Sequence, residues 1–297
     1  MKRTLLLFAM ILAMASCEKK PDPVTPQPTP GPGKTEKIPI KISVVPVTKV
    51  TDSAYETGDV VGLYVVNDGS ELSASGNHAN NVAFTFDGNA WSAATQLYWK
   101  DESTAASFYC YYPRAGSVSN VNAISCSVNT NQSTPAGYKS SELLWGSRTK
   151  VSPTSSAVSI TSTHRMSNLL VYINPGNGYT AESLREEGIE LTINNLKPSA
   201  TLNLETGEVT ATGSPADITP YQEGDHFRAL VPPQSIADQT LVSLRVGDYT
   251  FSAKETITLK SNTQHKVTLT VNKVSEGINI GIGAWESDET DYGGIVN

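Results

Sequence analysis

The chain has little of what catalysis or nucleic-acid binding requires. Its 297 residues include three cysteines and four histidines. His78, His164, His226 and His265 form no HExxH pair, and none stands near a cysteine at zinc-ligand spacing. His164 and His226 lie beside predicted strands and read as structural or exposed residues. GxSxG elbows and Gly-rich phosphate loops are missing too. Carboxylates are scattered, which leaves a glycosidase pair open, because its two acids need not be neighbours in sequence. The acidic tail Glu286, Asp288, Glu289 and Asp291 lacks the glycine-turned loop of a calcium site and reads as a solvated end. The sequence therefore points away from an enzyme and implies no metal and no cofactor. With no basic run and a formal charge of −7, it offers nucleic acid no surface.

Long apolar runs are equally scarce, apart from Leu5 to Met14. Lys2 and Arg3 precede that run and the small pair Ala15-Ser16 follows it, the three parts of a secretory signal over residues 1–16. It falls short of the ~20 apolar residues that a spanning helix needs. It stops at Cys17, and Met-Ala-Ser-Cys resembles a bacterial lipobox, in which a signal peptidase cuts before the cysteine and the thiol carries diacylglycerol. Acyl chains contribute ~0.8 kcal/mol per buried methylene, so a lipid on Cys17 would hold the chain on a membrane without a helix. Residues 17–37 then form a tether, with Pro21, Pro23, Pro26, Pro28, Pro30 and Pro32 favouring extended polyproline II. Loss of Lys2 and Arg3 with the leader takes the formal charge from −7 to −9.

The 281 residues from Cys17 onward exceed a typical single domain and suggest two cores. From Ile38 the chain reads as short alternating or β-branched runs between clusters of Gly, Pro, Asn, Asp and Ser. Only Thr180 to Glu187 has the pattern of a short helix. Gly247-Asp248 marks a hairpin turn. The expected fold class is all-β, as antiparallel sandwiches, with residues 38–163 in an N-terminal sandwich, 164–274 in a C-terminal one and 275–297 as a tail.

Aromatics make up 7% of the chain and concentrate at Tyr98-Trp99 and Tyr109, Tyr111 and Tyr112. Exposed platforms of this kind stack on sugars or partner proteins. Strand alternation instead sends Tyr109 and Tyr111 to one face and Phe108, Cys110 and Tyr112 to the other, so at least one set is expected in the core. Cys110 and Cys126 form an even pair in an oxidising compartment, either bonded to each other or buried as free thiols.

Several phrases in order resemble the fimbrillin family, specifically its minor-fimbrium-like lipoproteins. They include Tyr55-Glu56-Thr57-Gly58-Asp59, Tyr111-Tyr112-Pro113, Glu142-Leu143-Leu144-Trp145-Gly146 and His164-Arg165-Met166-Ser167-Asn168-Leu169. Leu202-Asn203-Leu204-Glu205-Thr206-Gly207, Ala229-Leu230-Val231-Pro232-Pro233-Gln234 and Ala284-Trp285 continue the series. The resemblance implies two transthyretin-like β-sandwich domains in tandem, export as an outer-membrane lipoprotein at the cell surface, and assembly into a fimbrium (type V pilus) by strand exchange with other fimbrial subunits. In such pili a protease removes the first strand with its lipid, and a strand of the next subunit fills the groove.

Ile38, Ile40, Ile42 and Val44 alternate with polar residues as a removable edge strand should, with Pro39 tolerable at an edge. The family usually places an arginine just after this strand for cleavage, whereas here Lys49 is the nearest candidate. Without processing, the subunit would stay tethered as a base or anchor. Ile278, Ile280, Ile282, Ala284 and Trp285 form the candidate donor strand, with period two in the apolar positions up to Ala284; the alternative is that this segment folds back on its own domain. Asp52-Ser53-Ala54 fits a short bacterial O-glycosylation pattern at Ser53. The competing reading is a monomeric surface glycan-binding lipoprotein that uses exposed aromatics, and a host or bacterial surface ligand fits either reading.

Overall fold

Short β-branched runs between turn residues fold as strands because alternate side chains can be buried while backbone groups pair laterally. The structure, a computed structural model, describes residues 37–46, 55–275, 277–284 and 286–288. The leader, Cys17, the tether, Lys49, Ser53 and Trp285 lie outside the described residues.

The first half carries β1 (Ile42–Pro46), β2 (Val60–Asn67), β3 (Ala79–Phe86), β4 (Trp91–Ser92), β5 (Ala106–Tyr112), β6 (Ile124–Ser127), β7 (Leu144–Val151) and β8 (Val158–His164). A short helix, α1 (Pro135–Lys139), precedes β7. The second half begins with β9 (Ser167–Pro175), α2 (Ala181–Glu186), β10 (Ile189–Leu196), β11 (Ser199–Leu202), β12 (Val209–Thr212) and β13 (Ala216–Ile218). It continues with β14 (Tyr221–Glu223), β15 (His226–Val231), β16 (Gln234–Val246), β17 (Tyr249–Leu259), β18 (Gln264–Val274), β19 (Gly277–Ile282) and β20 (Glu286–Asp288).

Seven of the first eight strands make one sheet in the order β1-β8-β7-β5-β2-β3-β4. The eighth, β6, pairs with β11, which pairs with β12. The later strands form β13-β10-β16-β17 and β14-β15-β9-β18-β19, with β20 also on β18. The all-β class holds, but the sheets are not purely antiparallel: β1 runs parallel to β8, and β9 parallel to β18. Both parallel pairs join strands about a hundred residues apart, where the intervening chain supplies the long crossover that a parallel pair requires.

Two apolar clusters hold these sheets. Ile40, Ile42, Val44, Leu63, Phe108 and Ile160 belong to the first; Tyr64, Tyr111, Ile124, Leu169, Leu230 and Leu244 belong to the second. Strand β5 shows why both form. Phe108 and Cys110 enter the first cluster, Tyr111 enters the second, and Tyr112 and Tyr109 pack at the margins of the first and second respectively. The expected alternation is present, with Phe108, Cys110 and Tyr111 in the core and Tyr109 and Tyr112 half-buried at its margins, so the group is not an exposed platform. Trp99 is buried beside exposed Tyr98, which removes the other candidate platform.

Turns and caps follow local chemistry. Gly247 and Asp248 join β16 to β17, with Val246 opposite Tyr249. In α2 the Thr180 hydroxyl accepts from Ser183 N–H and the Ser183 hydroxyl accepts from Thr180 N–H, a capping box at the predicted helix. Helix α1 begins with Thr134 as cap and Pro135 in its first turn, and it buries Tyr138.

The phrases that carry the family resemblance meet at the seam between the halves. Trp145 of β7 donates its indole N–H to Leu204 O at 2.8 Å, and the Arg165 guanidinium lies 4.5 Å from the centre of the Trp145 rings. Gly207, at φ +75°, lies against the same indole, and a Cβ there would come within 2.4 Å of it. Gly62 is needed for the same kind of reason, since a Cβ would stand 2.4 Å from the Tyr111 ring.

Candidate functional site

The two ends of the described chain are edge strands held in different ways. At the N-terminal end, Ile38 to Pro46 lies between two neighbours. On one side β1 pairs with β8, Ile42 opposite Val158 and Pro46 opposite Ser162. On the other, Ile40 N–H donates to Leu97 O at 2.8 Å and Trp99 N–H to Ile38 O at 2.9 Å. The Trp91 indole N–H reaches Val44 O and the Gln96 amide reaches Ile40 O. Ile40, Ile42 and Val44 are 2%, 5% and 5% exposed, while Lys41 and Val45 face out. The segment fills a slot, and removing it would uncover Leu63, Phe84, Trp99 and Ile160.

At the other end, among the described residues, β19 pairs with β18 alone: Ile282 lies opposite Leu269, Ile280 opposite Val271 and Ile278 opposite Lys273. The described part of the candidate donor strand, Ile278 to Ile282, therefore lies on β18 of its own chain in this structure. It is held weakly. Ile280 is buried at 8% exposure, Ile278 is half-buried, Ile282 is 42% exposed and Ala284 is exposed. Strand β20 continues along β18, where Ser287 Oγ lies 2.9 Å from His265 Nδ1.

The two segments share one pattern. Ile38-x-Ile40-x-Ile42-x-Val44 and Ile278-x-Ile280-x-Ile282-x-Ala284 place β-branched residues at the same three positions and a smaller residue at the fourth. A fully buried Val or Ile side chain contributes roughly 1.5–3 kcal/mol, so the slot rewards this pattern more than the β18 edge does.

A second feature lies near the seam, a cleft of about 360 Å³. Four family phrases reach it: Tyr55, Glu56 and Asp59 come from the first, Tyr112 from the second, Glu142 from the third and His164 from the fourth. Helix α1 adds Tyr138 and Lys139, while β14 and β15 add Tyr221, Glu223 and Arg228. Spacing in the sequence gave no hint that these segments converge. Tyr112 donates to Asp59 Oδ1 at 3.0 Å, and the Tyr55 hydroxyl lies 3.0 Å from Ser162 Oγ. Burial, with nearby carboxylates adding to it, pushes the Tyr112 phenol well above its ordinary value; burial likewise raises Tyr55.

The sequence-derived cysteine pair is not joined. Cys110 and Cys126 are both free, Cys110 in the first apolar cluster and Cys126 packed against the second. They stand on separate sheets, Cys110 on β5 and Cys126 on β6. Burial raises the Cys126 thiol to about 11 and Cys110 further. Among the described residues, no helix is long and apolar enough to cross a membrane.

Residues 48–285 match the family described as Fimbrillin-like. A Bacteroides uniformis protein named as a fimbrium subunit, Fim1C, is 26% identical over 243 residues, covering 78% of this chain and 76% of that protein. A Bacteroides ovatus protein named as a fimbrium tip subunit is 30% identical over 147 residues, which are 44% of this chain and 27% of that protein. Two crystal structures described as cell adhesion proteins share the fold. The one from B. uniformis has a TM-score of 0.66 at 18% identity, covering 89% of this chain and 99% of that one. The one from B. ovatus has a TM-score of 0.68 at 17% identity, covering 84% and 98%. With the family match spanning most of its length, this chain belongs to the fimbrillin-like family.

Proposed function

We propose that this protein is a surface fimbrial subunit that polymerises by donor-strand exchange. The observation that carries the reading is the shared pattern of the two terminal segments together with their unequal burial. Ile38, Ile40, Ile42 and Val44 occupy a deep slot, and Ile278, Ile280, Ile282 and Ala284 occupy a shallow edge. A cut after Lys49 separates β1 from the rest of the body, whose described residues resume at Tyr55. The tail of another copy, or of another fimbrial subunit, then exchanges its edge for the vacated slot. Main-chain hydrogen bonds supply affinity there and the alternate isoleucines fill the pockets.

Lipidation of Cys17 and the proline-rich tether deliver the subunit to the outer membrane, and cleavage removes lipid and first strand together. Residues 38–163 and 164–274 act as two transthyretin-like sandwiches in tandem, and Ser53, which fits the O-glycosylation pattern, is a candidate for that modification. Nothing in this assembly calls for an active site.

Deletion of Ile278 to Asn297 tests the reading. The truncated chain should remain folded and form no polymer when mixed with cleaved subunits of its own kind. Polymers of normal length from the truncated chain would show that the donor lies elsewhere.

A further inference from the structure

We propose that a donated tail enters the slot in the direction of the strand it replaces and pairs its Glu289 with Arg165 of the acceptor. This rests on the strand-exchange reading above and adds to it a direction, a register and an ion pair. Arg165 carries the first observation. It follows β8, is half-buried, and holds its guanidinium 4.5 Å from the centre of the Trp145 rings. Its Nε is buried without a hydrogen-bond partner, and burial holds the group below the usual arginine value. Lys139, Arg228, Arg245 and Lys273 each have a carboxylate, but among the described residues none pairs with Arg165. A cation taken partly out of water without a counter-charge is costly, and a planar guanidinium suits a carboxylate brought from outside.

The register of the slot supplies the second observation. Strand β1 runs parallel to β8, with Ile42 opposite Val158, Val44 opposite Ile160 and Pro46 opposite Ser162. Laid on this segment in the same direction, the tail puts Ile278 on Ile38, Ile280 on Ile40, Ile282 on Ile42 and Ala284 on Val44. Reversed, it would have to fit an isoleucine into the place of Val44, which is 5% exposed, and would leave the first place underfilled with Ala284. The forward count then sets Glu286 on Pro46, opposite Ser162, and Glu289 three places further, opposite Arg165.

Parity decides the face. Val158, Ile160, Ser162 and His164 are buried, whereas Ser159 and Thr161 are exposed and Thr163 and Arg165 half-buried. Directly opposed residues of neighbouring strands share a face, with the strands ~4.8 Å apart, so Glu289 comes to the face that carries Arg165 and within reach of its guanidinium. Glu286 and Asp288 fall on the other face, at the end of the slot where Pro46 is half-buried, so Glu289 is the acid that the register assigns to Arg165. The same count along the resident segment reaches Lys49, of like charge to Arg165, where the donated one has a glutamate. Charge therefore favours the incoming strand, and the acidic run after the donor isoleucines has a role beyond solvation.

The test takes as acceptor a subunit lacking Ile278 to Asn297 and cut after Lys49, and as donor the uncut chain, so that growth stops at one joined pair. The rate of pair formation is read by electrophoresis without boiling. Donor Glu289→Arg should slow pairing about threefold to tenfold and Glu289→Gln less, while donor Glu102→Arg, the same charge change at an exposed site elsewhere, should match the wild type. Acceptor Arg165→Glu should pair slowly with the wild-type donor and regain its rate with the Glu289→Arg donor. The Glu289 variants alter the donor alone, so they decide the matter even where Arg165→Glu unfolds the acceptor. Wild-type pairs whose rate is untouched by Glu289→Arg, or is slowed as much by Glu102→Arg, would overturn the contact and leave strand exchange standing, as would a folded Arg165→Glu acceptor that still prefers the wild-type donor. Failure of the wild-type chains to pair at all would overturn both.

Discussion

Replacing Ile42 by alanine should weaken the folded subunit and yet speed its polymerisation. Ile42 is 5% exposed in the slot between β8 and the Leu97–Trp99 segment, and truncating such a side chain costs about 2–5 kcal/mol. In the uncut chain that loss corresponds to a melting midpoint roughly 4–20 °C lower for a body of this size. After cleavage the same loss falls on the outgoing strand alone, because the incoming tail carries an intact Ile278, Ile280 and Ile282. Since each 1.4 kcal/mol is a factor of ten, displacement should accelerate at least about tenfold. Ile280→Ala should act with the opposite sign: it alters the incoming strand and slows polymer growth, with a smaller effect on the midpoint because β19 lies at a shallow edge. The assay is the time course of boiling-sensitive ladders after limited proteolysis of each variant. Slower ladders from a folded Ile42→Ala subunit would refute the view of β1 as the strand that is displaced.

Three further outcomes follow from local chemistry. Burial raises Tyr55, Tyr111 and Tyr112, Tyr111 to about 12, whereas an unfolded tyrosine ionises near 10. The folded state therefore holds these protons longer, so stability is unaffected below about pH 10 and falls as pH rises from there toward 12; absorbance and circular dichroism should show the late-ionising phenols titrating together with unfolding, and a smooth titration with the fold retained would contradict their burial. With Cys110 buried, Cys126 half-buried and both thiols raised, Cys110 should resist a disulfide-exchange reagent at pH 8 until denaturant is added while Cys126 reacts slowly in the folded chain, and mass analysis should find no bridge between them. Gly207→Ala should cost about 1–3 kcal/mol by crowding the Trp145 indole, with further strain from the positive φ, and an unchanged unfolding midpoint would show that the seam yields freely.

Long β-branched runs were readable because their own side chains decide the strand. Val60 to Val66, Val158 to Thr163 and His265 to Val271 lie within β2, β8 and β18. Strands β4, β6, β12, β13, β14 and β20 are not legible in the sequence, and β20 pairs with β18 where a solvated acidic end is expected. They have two to four residues, with Ser, Thr, Asp or Gln among them, and each exists because a longer partner holds it, as β11 holds both β6 and β12. Helix α1 is not legible in the sequence because Pro135 and Gly137 argue against a helix, while its cap Thr134 and the burial of Tyr138 decide for one. The terminal segments were legible down to their alternation. The neighbours that make one deep and the other shallow were not, since those come from the sheet order. The cleft was legible only as separate phrases: Tyr55, Tyr112, Glu142 and His164 are far apart in the chain, and their meeting is a property of the sheets.

The central claim, that the tail of one subunit replaces the first strand of another, is most directly tested on protein sheared from cells that make it, by electrophoresis without boiling and N-terminal mapping of each band. The account predicts ladders that collapse on boiling, built from subunits that begin just after Lys49. Full-length acylated chains beginning at Cys17, running only as monomers, would contradict it.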